Sequence, residues 1–492
     1  MGPMKAFFLL ILLSFPIFPE TPGEAIKRRR AEYPELTEII ELAQGAPAEF
    51  SARALLRVAN SPRLRDKTWK REILEQAFQN ASAARNPIRK QIMEGPSTAG
   101  SRTAMTSQAA ALGLDRLTLQ TKAITAMLAL DPRRARELFL TIPQPRPSRL
   151  HCEDALLDDP SSYYATATAI AAQAFPLDER KRDEPILFLN ERIQSITSPV
   201  EITPAAALIS NSKATPAQLK LLISSLAAAL QRMEGDDRTF AGSLSSIVRA
   251  VPDLVDIARA SNSGAEILTE AYRQFLIRNL TGPRCAESAE KWQQDAVASA
   301  VSSFNSRMSS EANAPLKEEE LKASKVEGKA NLDRVFPSAD EQRLRDLWKT
   351  LMFGQGQSGL KDEEKNTDEW REQFSALLRE IEGMKAATGE SEALFFFRKG
   401  GALSAALSAA PAGAIRDAVI QQYIAFLRSS NFQQESLTEW FGAVQSLADS
   451  MNGDAHTKLL SALENSGHNV LFLYARMERL LPTAPSWVQA GQ

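Results

Sequence analysis

The chain is poor in the residues that carry most enzyme chemistry: its 492 positions include only 3 His and 2 Cys. So few histidines leave little material for a Ser-His triad or a His-rich metal site. Aromatic residues make up 7%, and 6 Trp and 6 Tyr against 22 Phe suit buried packing better than platforms for stacking sugars. Strand signals are also scarce, because Val, Ile, Thr and Tyr rarely alternate between Gly turns. After residue 30 no apolar run approaches the roughly 20 residues needed to cross a bilayer. With 44% hydrophobic and 24% charged residues, the composition excludes collagen, a disulfide-knotted miniprotein, a polytopic membrane protein and wholesale disorder. The length allows two to four domains at roughly 100–200 residues each.

What is present begins with a leader. Lys5 precedes the apolar run AFFLLILLSF, and a Pro-containing stretch ends in Gly23-Glu24-Ala25. This order is that of a secretory signal peptide over residues 1–25, cleaved after Ala25. Lys27-Arg28-Arg29-Arg30 follows at once and resists translocation, so an uncleaved start stays open. No Cys lies near the end of the run to carry a lipid anchor. In an exported chain, Cys152 and Cys285 are expected to form one disulfide. His151-Cys152-Glu153-Asp154 sets ligand types side by side, but adjacent residues cannot all face one ion.

The rest of the pattern is helical. Leu219, Leu222, Ile223, Leu226 and Leu230 recur at the spacing of one helix face, and Ala227-Ala228-Ala229 lets a neighbour approach. Helix starts are marked by a capping residue before proline at Ser61-Pro62, Asn86-Pro87, Asp131-Pro132, Ser198-Pro199, Thr203-Pro204 and Thr215-Pro216. Ser263 with Glu266, Ser338 with Glu341 and Ser436 with Glu439 have capping-box spacing. From Asp115 to Phe139 two helices meet at Asp131-Pro132, and the phrase from Ala126 to Pro132 resembles the end of a tetratricopeptide hairpin. It covers one hairpin, and no fixed period repeats it. The expected architecture is all-α, with many short helices packed as irregular hairpins, solenoid-like or bundled, and no substantial β-sheet.

Proline and polar stretches divide the mature chain into 26–147, 148–315 and 316–492, with a Gly-rich loop at 354–359. The first region holds 21 Lys+Arg against 12 Asp+Glu, whereas each of the other two is acidic, so the net charge of −2 conceals an asymmetry. A basic region can meet an anionic polymer or membrane, dock on the protein's own acidic remainder, or simply be solvated. With few interleaved aromatics and no recognisable module, nucleic acid is not expected.

Motif matches fail on their surroundings. Gly354-Gln355-Gly356-Gln357-Ser358-Gly359 spells a dinucleotide fingerprint but follows a helix-like stretch, not a buried strand. Ser210 with Lys213 and Ser358 with Lys361 match S-x-x-K, yet the partner motifs of penicillin-binding enzymes do not occur. His151, His456 and His468 read as surface or cap residues. Asp158-Asp159 and Asp236-Asp237 could serve a glycosidase or lyase, although both pairs also stand where helix caps are expected. Asn80 and Asn279 fit the glycosylation sequon.

The sequence therefore points to a secreted or periplasmic helical protein with no catalytic, cofactor or metal residue identified. Its expected role is to bind an unidentified protein or anionic polymer. Two alternatives stay open: a helical hydrolase or lyase using paired carboxylates, and a peripheral membrane protein using the basic first region.

Overall fold

The computed structural model describes residues 22–84, 89–91, 110–151, 154, 156–282, 284–285, 297–308, 315–321, 325–326, 346–347, 349–351, 367–390, 392–411, 413–429, 437–449, 451 and 453–481. Among these, twenty α-helices carry the fold. Extended structure is confined to two short pairings, β1 (Arg89–Gln91) antiparallel to β2 (Leu156–Asp158) and β3 (Arg284–Cys285) parallel to β4 (Lys325–Val326). The protein is all-α, and no described helix is long and apolar enough to cross a membrane.

The chain opens with α1 (Pro22–Glu32), α2 (Pro34–Gln44), α3 (Ala48–Ala59) and α4 (Lys67–Ser82). Helical hairpins follow. α5 (Arg116–Leu128) turns into α6 (Pro132–Leu140), and α7 (Ser161–Gln173) is joined through the short α8 (Leu177–Lys181) to α9 (Glu184–Gln194). Next come α10 (Ile202–Asn211) with α11 (Pro216–Arg232), then α12 (Thr239–Ala260) with α13 (Ala265–Thr281), and α14 (Ala298–Met308). Two layers result: α5, α7, α10, α12 and α14 pack in succession, and beside them α9 packs on α11 and α11 on α13. The C-terminal part comprises α15 (Asp368–Gly383), α16 (Glu392–Ala409), α17 (Ala414–Ser429), α18 (Leu437–Asp449), α19 (Gly453–Glu464) and α20 (Asn469–Leu480).

Several sequence signals act as expected. Asp131 accepts from the Arg134 N–H at 3.0 Å, with Pro132 in the first turn of α6. Thr215 and Gln218 form a reciprocal capping box around Pro216. Leu219, Leu222, Ile223, Leu226 and Leu230 are all buried, each contributing up to about 1.5–3 kcal/mol by leaving water.

Other starts differ. Ser61-Pro62 lies in a turn, and α4 begins later, where Asp66 accepts from the N–H groups of Thr68 and Trp69. Thr203-Pro204 falls inside α10, because a capping box of Ser198 and Glu201 has already started the preceding 3-10 turn. Ser263 does not cap α13: Gly264 takes the N-cap position at φ 85°, a left-handed conformation that glycine tolerates, and the Ser263 hydroxyl donates to Pro216 O and Ser261 O. Asn86-Pro87, Ser338 and Ser436 lie outside the described residues, as does the loop at 354–359.

Two hydrophobic cores form. The first runs from Leu36 to Leu321 and takes in Leu473 and Met477 from α20 and Leu481 just after it. The second is built from α15 to α20, with Phe50 and Leu114 inserted from the first part of the chain. α20 belongs to both: its 473, 477 row, continued by Leu481, faces one core, while Val470, Leu471 and Tyr474 face the other. Polar contacts fasten the seam. Arg476 makes two hydrogen bonds of 2.7 Å to Glu38, and Arg57 reaches Glu478 at 2.7 Å and Leu481 O at 2.8 Å.

Gly235, in the α11–α12 loop, and Gly282, after α13, cross backbone to backbone; a Cβ on Gly282 would collide with the Gly235 carbonyl. Gly282→Ala is expected to lower the unfolding free energy by about 1–3 kcal/mol in urea titrations. Gly45→Ala, whose Cβ would meet only Leu42 O at 3.8 Å, serves as the control. Equal stability of the two variants would remove the crossing from the fold's requirements.

Candidate functional site

Helices within the second layer run parallel. At one end Gln218 donates to Asp183 at 2.6 Å and Ser263 to Pro216 O at 3.0 Å, which aligns the N-termini of α9, α11 and α13. At the other end Arg232 donates to Gln194 O at 2.7 Å, and Arg278 to Leu230 O at 2.7 Å and Met233 O at 3.3 Å. Each arginine thus satisfies carbonyls at the C-terminal end of the preceding second-layer helix.

At this edge the first-layer helices begin, and a buried polar network joins their N-termini. Glu201 is 0% exposed. Its carboxylate accepts from the Tyr164 hydroxyl at 2.8 Å and from the N–H groups of Thr197 and Ser198 at 2.9 and 3.1 Å. Burial pushes the Glu201 carboxyl above its ordinary value, and these hydrogen bonds pull it partly back. Burial, reinforced by Glu201, holds the Tyr164 phenol far above its usual range, so it stays a donor. Asp237 accepts from the N–H groups of Thr239 and Leu150 at 2.9 and 3.2 Å and from the Ser198 hydroxyl at 3.3 Å. One carboxylate therefore accepts the first N–H of α12 and ties down the 147–151 strap.

A cavity of about 400 Å³ opens beside this network between Arg149, Thr197, Ser198, Arg232 and Asp237. Its arginines are engaged: Arg149 pairs with Glu234 at 2.7 Å and with Asp236. Among the described residues, no histidine, cysteine or lysine lines it. The groups present bind loops to one another; they do not pair a nucleophile with a base.

The expected site residues fall as follows. Asp158 accepts from Ser148 N–H at 3.2 Å and Asp159 from Ser161 N–H at 3.0 Å, Asp236 is ion-paired with Arg149, and Asp237 accepts from the N–H groups of Thr239 and Leu150. The three histidines lie apart in the chain: His151 in the strap, His456 on α19 and His468 at the N-cap position of α20. Ser210 returns its hydroxyl to Ala206 O at 2.9 Å. The Asn80 amide donates to Ser51, while Asn279 is fully buried and donates to Phe275 O. Of the basic start, Arg28, Arg29 and Arg30 pair with Asp66, Glu72 and Glu41. Cys152 lies outside the described residues, and no disulfide occurs among them. The Glu201–Tyr164 contact had one sequence signal, the S-x-x-E spacing of Ser198 and Glu201.

A second feature was not anticipated. α7 and α10 contain no charged residue, and α12 has none before Arg249. These helices are consecutive in the first layer, joined across the surface by Thr203 Oγ1 to Ser246 Oγ at 3.1 Å. Ala165, Ala172, Ala207, Ser210 and Ser245 are exposed there. The hydroxyls of Thr168, Ser210 and Ser246 donate to carbonyls of their own helices. Methyl groups and hydroxyls bonded to their own helix make up much of what meets solvent there, which lowers the cost of stripping water from it.

No protein-family model, curated protein or solved structure matches the chain.

The buried network makes a pH-dependent prediction. Glu201→Ala should cost about 2–5 kcal/mol, because Tyr164 and two N–H groups lose their acceptor. Glu201→Gln can keep all three contacts with the phenol accepting instead of donating, so it should be far milder. A raised folded-state value means the native state holds the Glu201 proton more tightly than the unfolded chain. Wild-type stability attributable to this group therefore falls as pH rises above about 4.5, the ordinary value. The stability of Glu201→Gln relative to wild type should climb from pH 4 to pH 7 in denaturant titrations. A pH-independent difference would show that burial of this charge carries no cost.

Proposed function

We propose that the protein is an exported, non-enzymatic helical scaffold that docks a partner protein on the charge-free face of α7, α10 and α12. The observation that carries this reading is the absence of charge from α7, α10 and the part of α12 before Arg249, in a chain with 24% charged residues. Cores of protein interfaces are depleted in charge for the same reason: charged groups are costly to desolvate. Placing a photo-crosslinking residue at Ala207 or Ala165 in the native compartment should give one discrete adduct. Position 133 on α6, where Arg133 is exposed, should give none. Ala207→Arg, which does not disturb the core, should abolish the adduct seen from position 165. Indiscriminate labelling from all three positions would refute the docking face.

Export is supported by the leader and by the cysteine pair. Described neighbours of both cysteines converge on the α11–α12 loop: Arg238 donates to His151 O at 3.3 Å, and Gly235 packs against Gly282, three residues before Cys285. A Cys152–Cys285 bridge would clamp the strap that caps the polar network. Unreduced peptide mapping of exported protein should yield one linked pair and an N-terminus at Ile26. Two alkylatable thiols would dismiss the bridge, and a retained leader would dismiss the cleavage.

A further inference from the structure

Two cations stand near each other where the two cores meet, and neither has an ion-pair partner among the described residues. Arg53 on α3 donates through Nη2 to the Gln445 amide oxygen at 3.0 Å, and its guanidinium carbon lies 5.3 Å from the centre of the Phe441 ring, so α18 holds it in place. Its Nη1 is buried and has no hydrogen-bond partner. Lys122 on α5 makes no hydrogen bond either. Its amine folds back over Gly113, where a Cβ would stand only 3.0 Å from Nζ, so it is the bare glycine that makes room for it. Burial, and after it the charge of Arg53, pulls the Lys122 ammonium below its ordinary value, while Asp115 opposes them. Burial lowers Arg53 as well, and Arg57 adds to the repulsion.

The carboxyl groups around these cations are engaged elsewhere or stand back from them. Glu478 pairs with Arg57 at 2.7 Å. Asp115 accepts from the Thr118 N–H at 2.8 Å, and burial raises its carboxyl, which favours the neutral form. Asp449, one turn after Gln445 on α18, acts on Arg53 through space without an ion pair to it; burial and Glu478 raise its carboxyl, while Arg53 and His456 pull it back. Two positive charges and a spare buried donor are thus drawn partly out of water at the seam, a costly arrangement that no described group offsets by contact.

We infer that Arg53 and Lys122 form a binding site for a small oxyanion, which accepts from Arg53 Nη1 and from the Lys122 ammonium. Carboxylates and phosphates share this chemistry, and charge-assisted hydrogen bonds from guanidinium and ammonium suit both. Arg53 is also tied to α18, so the anion would join α3 and α5 of the first core to a helix of the second. The site goes beyond the docking face on α7, α10 and α12 and does not depend on it.

The probes are inorganic phosphate and acetate, each titrated calorimetrically into the full chain at constant ionic strength. At least one should bind, and which of them does assigns the site to phosphates or to carboxylates. Lys122→Met, which keeps most of the apolar stem and drops the charge, should weaken binding about tenfold or more. Lys220→Met, the same change at an exposed lysine of α11, should leave it unchanged. In urea titrations without either oxyanion, Lys122→Met should be at least as stable as the wild type, because the repulsion from Arg53 is gone. At saturating oxyanion the order should reverse, because only the wild type gains from binding. Absence of binding by both probes, equal losses from Lys122→Met and Lys220→Met, or no change of order on adding the anion would overturn the site.

Discussion

Parallel packing within a layer is the constraint on which the hairpin stack depends. Stacked in register, α9, α11 and α13 bring their carbonyl ends to one edge, where α10 and α12 begin. A helix end carries roughly half an elementary charge, so like ends at neighbouring spacing repel unless something lies between them. Arg232 and Arg278 supply the positive charge at the carbonyl ends, and each also satisfies orphan acceptors on the helix before its own. Glu201 and Asp237 supply negative charge at the N-terminal ends and accept the N–H groups left there. The buried Tyr164–Glu201 contact is one part of that answer: where α10 begins the edge is buried and so is its counter-charge, whereas Arg232 at the carbonyl end stays exposed.

The C-terminal helices are attached on a different principle. α20 has apolar residues on two sides and serves two cores, so neither can be completed without it. Between those sides Arg476 and Glu478 meet Glu38 and Arg57 on α2 and α3. The basic excess of the first region is thereby partly spent inside the molecule. Arg57 is matched by Glu478 and Arg136 by Glu179, both outside that region, whereas the arginines of α1 pair with Asp66, Glu72 and Glu41 of the same region and leave its excess unchanged.

Legibility in the sequence followed the range of the interactions. The helical class, the face of α11 and the caps at Asp131 and Thr215 rest on residues within one or two turns of each other, and were readable. Ser263 with Glu266 had the right spacing, but Gly264 already supplied the left-handed turn, so the side chain was free to reach Pro216 O on the neighbouring hairpin. The destination of the positive charge was not readable. Arg57 and Glu478 are 421 positions apart, and no local pattern links them. The polar network was half visible: Ser198 and Glu201 have the spacing of a capping box, whereas Tyr164 and Asp237 join them only through the stacking of separate hairpins.

Those two structural solutions have a consequence for the surfaces. Arginines and carboxylates that close helix edges and fasten the seam are drawn away from the middles of the first-layer helices, where α7 and α10 need none. Alanine, serine and threonine suffice there, because i−4 carbonyls satisfy the hydroxyls and the helices hold one another through their inner faces. Such a region loses little when water leaves it, while a charged region must first be stripped of hydrated ions. The second layer differs: its exposed Leu187 stands among charges that neutralise one another, Glu184 with Arg182 and Glu191 with Arg192.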